Sequence, residues 1–585
     1  MQKPTALVSL RKNLCCCLIV LLFCSGPLHS QDFLQAHGHV ITNGKGDTVL
    51  LRGIGLGGWM LQEGYMLRFQ GEGQQHRIRE KLTSVVGEEK VERFYTAWLR
   101  NHMQKADVDS LAAWGFNSIR LPMHYALYTL PAEEEPVKGK DTWLERGFAL
   151  TDSLLSWCKA NRIYLILDLH AAPGGQGNDL NISDRDPGKP SLWESEENRR
   201  KTIALWRKLA ERYKDEPWMG AYDILNEPNW GFTDPKDKNG LKEQANAPIR
   251  DLYVGITRAI REVDPKHLIV IEGNGWGNNY NGMFPLWDNN LALSFHKYWN
   301  RNDQASIRHF LDLRNQYNVP LWLGETGENS NVWFTECIRL AESNGIGWSW
   351  WPLKKLGFNN PLQIREPRGY QKLLDYFNGK VPKPGEEDAF STLMELAENT
   401  RIQNCLVHRD VIDAMFRQVY SADAKPFRAN VIGKSTNLSA VDYDLGRVGV
   451  AYFDLDTADY HISAGSGRMV WNTGRVYRND GVDIEGEPGH YHVSKMEAGE
   501  WLRYTIDVTK AGKYDLALVV QEAGDGGEIQ VEVNGVVYTV SVAPGKTEWN
   551  ALPVKGVSLR TGKNSLRVMA SKGSFQFREI QFQRK

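Results

Sequence analysis

Cysteine is scarce where it would matter. Of seven cysteines, Cys15, Cys16, Cys17 and Cys24 crowd the start of the chain; only Cys158, Cys337 and Cys405 remain in the body. They are far apart and odd in number, and none has metal-ligand spacing. That excludes a disulfide framework or a zinc ribbon and leaves buried thiols, with at most one unassigned disulfide. A charge excess is also missing: 70 Lys and Arg against 71 Asp and Glu give a net charge of −1. Such a balance offers no field for nucleic acid or other polyanions. Long apolar runs are equally rare. The one candidate, Leu14 to Phe23, follows Arg11 and Lys12 and is broken by Ser25-Gly26-Pro27. It is too short to span a bilayer and reads as an export signal over 1–30, cleaved near Ser30. The alternative is a lipid anchor on Cys24, although Phe23 before it is large for that processing. The expectation is a secreted protein, extracellular or periplasmic, with no transmembrane span.

What is present points to several domains, because 585 residues exceed one ordinary core. From 31 to 385, strand-like runs alternate with amphipathic stretches such as Leu144 to Asn161 and Glu197 to Tyr213. The strand candidates are Val49 to Ile54, Phe116 to Leu121, Ile163 to Leu169, Ala221 to Leu225, His267 to Ile271, Leu291 to Phe295, Val319 to Leu323 and Ile346 to Trp350. Eight alternating units predict an α/β fold, a (β/α)8 TIM barrel. Residues 386–429 read as a helical extension or linker. Over 430–585 the texture changes to short alternating runs punctuated by Gly and Asp, with Asn534-Gly535 as a hairpin turn. This predicts a β-sandwich of the jelly-roll type.

The polar residues that follow the strands carry the chemistry. Arg120 follows the second strand and His170 the third. Asn226 and Glu227 follow the fourth, in Ile224-Leu225-Asn226-Glu227-Pro228. His296 and Tyr298 follow the sixth, Glu325 the seventh and Trp351 the eighth. A parallel barrel gathers the C-terminal strand ends on one face, so these residues would share one pocket. Two glutamates at strand ends suit glycoside hydrolysis, which needs a carboxylic acid and a carboxylate facing each other. Arg120 would hold Glu325 ionised, and Tyr298 would donate a hydrogen bond to it. Burial and the charge of Glu325 would keep Glu227 protonated. Each residue has a bland reading: a strand-ending Asn-Glu-Pro, a satisfied core histidine, a structural ion pair. All of those would have to hold together, at successive strand ends.

With these motifs in place, residues 31 to about 377 resemble glycoside hydrolase family 5, a retaining (β/α)8 clan. The matching set is Arg120, His170, Asn226-Glu227-Pro228, His296-Lys297-Tyr298, Glu325 and Trp351. The resemblance implies Glu227 as acid/base, Glu325 as nucleophile, Asn226 on the hydroxyl beside the anomeric carbon, and Trp351 rather than Trp350 as sugar platform. Arg120, His170, His296 and Tyr298 would complete the substrate-binding set. Two stretches, Arg52-Gly53-Ile54-Gly55-Leu56-Gly57-Gly58-Trp59 and Asp168-Leu169-His170-Ala171-Ala172-Pro173-Gly174-Gly175-Gln176, resemble the exo-β-1,3-glucanase branch. Leu353 departs from that branch, which carries a tryptophan there. The linkage and the endo or exo mode stay open. Trp230, Trp276 and Trp299 are candidates for sugar subsites.

The region 430–585 resembles a family 6 carbohydrate-binding module, through Tyr477-Arg478-Asn479-Asp480-Gly481-Val482-Asp483-Ile484-Glu485 and Glu497-Ala498-Gly499-Glu500-Trp501-Leu502-Arg503-Tyr504. Such clefts hold a sugar between two aromatic rings beside an amide. Trp549 can be one ring; Lys495 stands where the other belongs, and Gln576 or Arg578 replaces the amide. The alternative is a sandwich that buttresses the barrel. Calcium often accompanies this module family, with ligands unassigned here; no metal and no cofactor is expected for the chemistry. The resulting expectation is a monomeric, secreted, retaining β-glucanase acting on a polysaccharide or oligosaccharide. The rivals are a β-mannanase or other β-glycanase of the same family, and a non-catalytic carbohydrate-binding protein.

Overall fold

The computed structural model describes residues 32–71, 73–455, 475–522, 526–545 and 548–585. The signal-like segment 1–30 and its cysteines lie outside the described residues. Eight parallel strands close into a barrel: β1 (Arg52–Gly55), β2 (Ser118–His124), β3 (Tyr164–Ala171), β4 (Met219–Asp223), β5 (Leu268–Glu272), β6 (Leu291–Lys297), β7 (Leu321–Gly327) and β8 (Gly347–Trp351). The register runs from Ile54 against Ile119 around to Trp350 against Ile54. Each predicted run overlaps one strand, and the (β/α)8 expectation is borne out. The strands are buried on both faces, Ser118–His124 along its whole length. They therefore read as near-continuous apolar runs rather than alternating ones.

The strand ends differ from the sequence reading for local reasons. Val49 donates to Ile41 (2.8 Å), outside the barrel ladder, so β1 starts at Arg52. Ile41 belongs to a hairpin of Gln35–His37 and Val40–Thr42. With Leu34, Leu51 and Trp322 it forms an apolar cluster reaching Ile166, Ala221 and Val270 of the barrel. That cluster stops the N-terminal mouth of the barrel, which leaves the C-terminal face for a ligand.

The outer helices start where capping chemistry allows. Ser195 Oγ accepts from Asn198 N (3.1 Å) ahead of helix Glu196–Tyr213, whose first turn carries Glu196 and Glu197. Leu205, Trp206, Leu209 and Tyr213 recur at helical spacing and are buried. Beyond the barrel, helix Glu386–Asn399 places Leu393, Leu396 and Ala397 in the barrel's own apolar core.

The C-terminal region folds as two facing, mostly antiparallel sheets, as the sandwich expectation requires. Here burial does alternate: along Trp501–Val508, Leu502, Tyr504, Ile506 and Val508 point inward. Val533 pairs with Val536 across Asn534 and Gly535, both at positive φ (50° and 87°), the backbone a two-residue hairpin demands. Cys158, Cys337 and Cys405 are buried free thiols, so none forms a disulfide.

Candidate active site

Arg120, on β2, is the hub. It is fully buried. Its Nη1 donates to Glu325 Oε2 (2.7 Å), Nε to Asp223 (2.9 Å), and Nη2 to Asn226 Oδ1 (2.8 Å) and Glu272 (3.1 Å). Asp168 lies 3.2 Å from Nη1. A guanidinium offers five donors in a rigid fork, and here it distributes them over four strands. Burial pushes the carboxyls of Asp168 and Asp223 well above the usual carboxylate range, against the opposing pull of the Arg120 guanidinium.

Glu325 lies at the end of β7 and receives two donors: Arg120, and Tyr298 Oη at 2.5 Å. Glu227 is set differently. Its backbone sits at φ 42°, ahead of Pro228, and its N–H donates to Glu272 Oε2 (2.7 Å). A non-glycine residue at positive φ stores strain, a common feature of functional loops. Burial raises the Glu227 carboxyl to about 7, with Glu325 and Glu272 acting in the same direction and His296 against it. His296 Nδ1 lies 2.6 Å from Glu227 and Nε2 3.1 Å from Glu272. Burial opposes its charge, but Glu272, Glu325 and Glu227 outweigh burial and hold it well above the ordinary imidazole range. His170 behaves oppositely: burial lowers it to about 3, so it is neutral. Its Nδ1 faces Asp168 (2.7 Å) and its Nε2 accepts from Asn226 Nδ2 (3.2 Å).

One oxygen each of Glu227 and Glu325, with a nitrogen of His296, lie within 4.8 Å of one another. That spacing could also suit a metal ion. Both His296 nitrogens, however, already face carboxylates, and a protonated imidazole offers no lone pair. A metal ion is therefore a poor fit to this donor set.

Trp351 closes one wall. Its indole stacks on His170 (5.1 Å, 7° between planes) and donates from Nε1 to Tyr65 Oη (2.9 Å). Trp350 points the other way, fully buried against Phe334 and Trp348. The glycines of the Arg52–Trp59 stretch make room for Trp351: a Cβ on Gly55 would come 2.5 Å from its ring, and one on Gly57, 2.6 Å. Gly57→Ala should therefore tilt the indole and lower kcat/KM about tenfold or more, by the geometric sensitivity of oriented catalysis. Steady-state kinetics on a folded variant check this; an unchanged kcat/KM would remove Trp351 from the site.

The pocket, about 700 Å³, is lined by Glu227, Glu325, His170, His296, Tyr298 and Trp351. All eight barrel residues singled out in the sequence converge here or, like Arg120 and Asn226, directly beneath. Other groups in the pocket escaped the sequence reading: Glu63, Tyr65, Asp179, Glu328 and, one layer down, Glu272. Glu272 carried a usable signal, since it ends the run Leu268-Ile269-Val270-Ile271 just as Glu325 ends its own. Glu63 and Tyr65 come from the loop after β1, which no periodicity marks. Burial, then the charges of Glu325 and Glu328, push the Glu63 carboxyl well up. Glu328 pairs with Lys355 Nζ at 2.5 Å.

Of the three further tryptophans, Trp276 and Trp299 line the pocket, and Trp299 is 52 % exposed at its rim. Trp230 does not line it; Arg185 covers its ring at 4.8 Å. A second cavity of about 610 Å³ continues past Trp276 and Asp179 to Arg77 and Asn239. In the sandwich, Trp549 has Arg578 over its ring (4.9 Å) and His492 edge-on (5.4 Å). Arg578 would have to move before a sugar could stack on that face. Among the described residues, no helix is long and apolar enough to cross a membrane.

Residues 81–357 match the family model for cellulase (glycosyl hydrolase family 5), and residues 475–584 match that for carbohydrate binding module (family 6). A beta-xylosidase from Phanerodontia chrysosporium is 28% identical over 385 residues, covering 60% of this chain and 76% of the relative. A probable glucan 1,3-beta-glucosidase A from Aspergillus fumigatus is 29% identical over 220 residues, 37% of this chain and 48% of that protein. Endoglucanase C from Acetivibrio thermocellus is 26% identical over 323 residues, 45% and 87%. Among solved structures, a β-glucanase from Saccharophagus degradans aligns with TM-score 0.37 and 17% identity over 63% of this chain and 94% of that one. Family 5 enzymes normally need no catalytic cofactor. The chain is a glycoside hydrolase acting on O-glycosyl bonds, with a glycosyl hydrolase family 5 domain over residues 81–357 and a carbohydrate-binding module of family 6 over residues 475–584.

Proposed function

We propose that the protein is a secreted, retaining β-glycosidase that cleaves β-glucosidic bonds of a β-glucan by double displacement. The observation that carries this reading is the pair of facing carboxylates, with closest atoms within 4.8 Å and unequal surroundings. Retaining enzymes hold the two groups about 5–5.5 Å apart, whereas inverting ones leave room for a water between them. Glu325, held by Arg120 and Tyr298, would attack the anomeric carbon. Glu227, with its raised carboxyl, would protonate the departing oxygen. After the leaving group departs, Glu227 would take a proton from water as that water attacks the glycosyl–Glu325 ester. Asn226, fixed between Arg120 and His170, would hold the hydroxyl beside the anomeric carbon. Trp351 would supply the stacking wall.

A β-glucan is favoured by the two glucan-directed relatives and by the Arg52–Trp59 and Asp168–Gln176 stretches. The beta-xylosidase relative supports a second reading, a β-xyloside. A release assay over laminarin, mixed-linkage glucan, cellulose, xyloglucan, xylan and mannan, with aryl β-glucoside and β-xyloside beside them, separates these. Release from at least one β-glucan, with the aryl glucoside turned over faster than the xyloside, is expected. Preference for xylan or mannan would overturn the glucan assignment. Proton NMR of the first-formed sugar reads the stereochemistry; an α-anomer as first product would overturn retention. A mature N-terminus near residue 31 in the exported protein would support secretion.

A further inference from the structure

We propose that the C-terminal sandwich is a structural part of the catalytic site, with Asn479 as the positioning residue that fixes the loop after Glu325. The inference rests on Glu325 acting as the nucleophile.

Asn479 lies in the Arg478-Asn479-Asp480 loop of the sandwich, yet its hydrogen bonds go to the barrel and its helical extension. Its N–H donates to Asp410 Oδ2 (2.7 Å), and its C=O accepts from Asn331 N (2.9 Å). Its Nδ2 donates to the carbonyl of Asn329 (2.8 Å) and to Asn331 Oδ1 (3.1 Å). Asn331 Nδ2 closes the ring on Asp410 (2.8 Å). Asn329, Asn331, Asp410 and Asn479 are each no more than 4 % exposed, so water is poorly placed to replace a missing partner.

The connection to the chemistry is short. Asn329 Nδ2 donates to the carbonyl of Tyr298 (3.2 Å), and Tyr298 Oη donates to Glu325 at 2.5 Å. The same loop carries Glu328, at φ 51°, whose carboxylate lines the pocket. A segment that includes a strained residue keeps its geometry only when its surroundings over-determine it. Asn479 supplies part of that determination. The sandwich in turn holds Asn479 rigidly. Its neighbour Arg478 is fully buried, with its guanidinium carbon 3.6 Å from the Tyr443 ring centroid and 4.6 Å from that of Phe427, and it hydrogen-bonds the Tyr443 carbonyl. A module that only tethered the enzyme to a glycan would not need a side-chain amide buried behind the loop that follows the nucleophile.

The test compares full-length Asn479→Ala, Asn479→Ser and Asn329→Ala with wild type and with Glu325→Gln. The readouts are kcat and KM per folded molecule, the melting temperature, and the rate at which a 2-fluoro glycoside with an activated leaving group labels the enzyme. A displaced loop should lower kcat and the labelling rate by about tenfold or more, with KM changed by less than about twofold. Asn479→Ala combined with Asn329→Ala should lose little beyond either alone, because both break one chain of contacts. A sandwich that only adds stability would lower the melting temperature and leave kcat intact. If Asn479→Ala does not fold, Asn479→Ser and Asn329→Ala carry the test. Folded variants with kcat and labelling within twofold of wild type, beside an inactive Glu325→Gln, would overturn this inference alone. An active Glu325→Gln would instead overturn the nucleophile reading on which it rests.

Discussion

Glu325→Ala should lose turnover by about 10⁴-fold or more, as removal of a nucleophile does in other covalent mechanisms. The fold should survive, because Glu325 lies at the pocket end of β7 and Arg120 keeps its partners Asp223, Glu272 and Asn226. Azide should then restore cleavage of an activated aryl glycoside. The anion fits where the carboxylate was, attacks the anomeric carbon from the same face, and departs in the product as a glycosyl azide of inverted configuration. Mass spectrometry and proton NMR of that product check the assignment. Rescue by azide with retained configuration would move the nucleophile elsewhere, and near-normal turnover without azide would end the assignment outright.

Glu227→Gln should slow substrates with poor leaving groups by about 10²–10⁴-fold, the range of general acid catalysis. Aryl glycosides with acidic phenols need little protonation, so their first step should be nearly spared. The pH profile carries the sharper signature. Burial raises the Glu227 carboxyl to about 7, and donation requires its protonated form. The protonated fraction falls as pH rises through about 7, so kcat/KM on an unactivated glucan should fall along an alkaline limb there. Titrations of Glu227 and His296 interact, so that limb reports the pair. In Glu227→Gln it should vanish. An alkaline limb that persists in the variant would assign the proton to another group.

Much of this site was legible in the sequence because a parallel barrel maps strand ends to one face. Arg120, His170, Asn226, Glu227, His296, Tyr298, Glu325 and Trp351 could be collected from positions hundreds of residues apart by that rule alone. Glu272 obeyed the same rule, directly after the run His267 to Ile271 as His170 and His296 directly follow theirs, but it stands in no motif like Asn226-Glu227-Pro228 that draws the eye. The sandwich was legible by its period-two pattern, and its hairpin by Asn534-Gly535.

What the sequence alone determined is the type and order of the chemistry-bearing groups, since strand periodicity and strand-end position are local properties. Only the tertiary structure decided their protonation and their support. The raised carboxyl of Glu227, the charged His296 beside it and the neutral His170 all follow from burial and from neighbours brought together by closure of the barrel. Glu63 and Tyr65 reach the pocket on a loop without periodicity. Asn479 reaches the loop behind Glu325 across 148 residues from Asn331, because two separately folded cores meet there. Contacts between domains leave no local pattern, because the polar groups involved look like ordinary loop residues until a partner buries them.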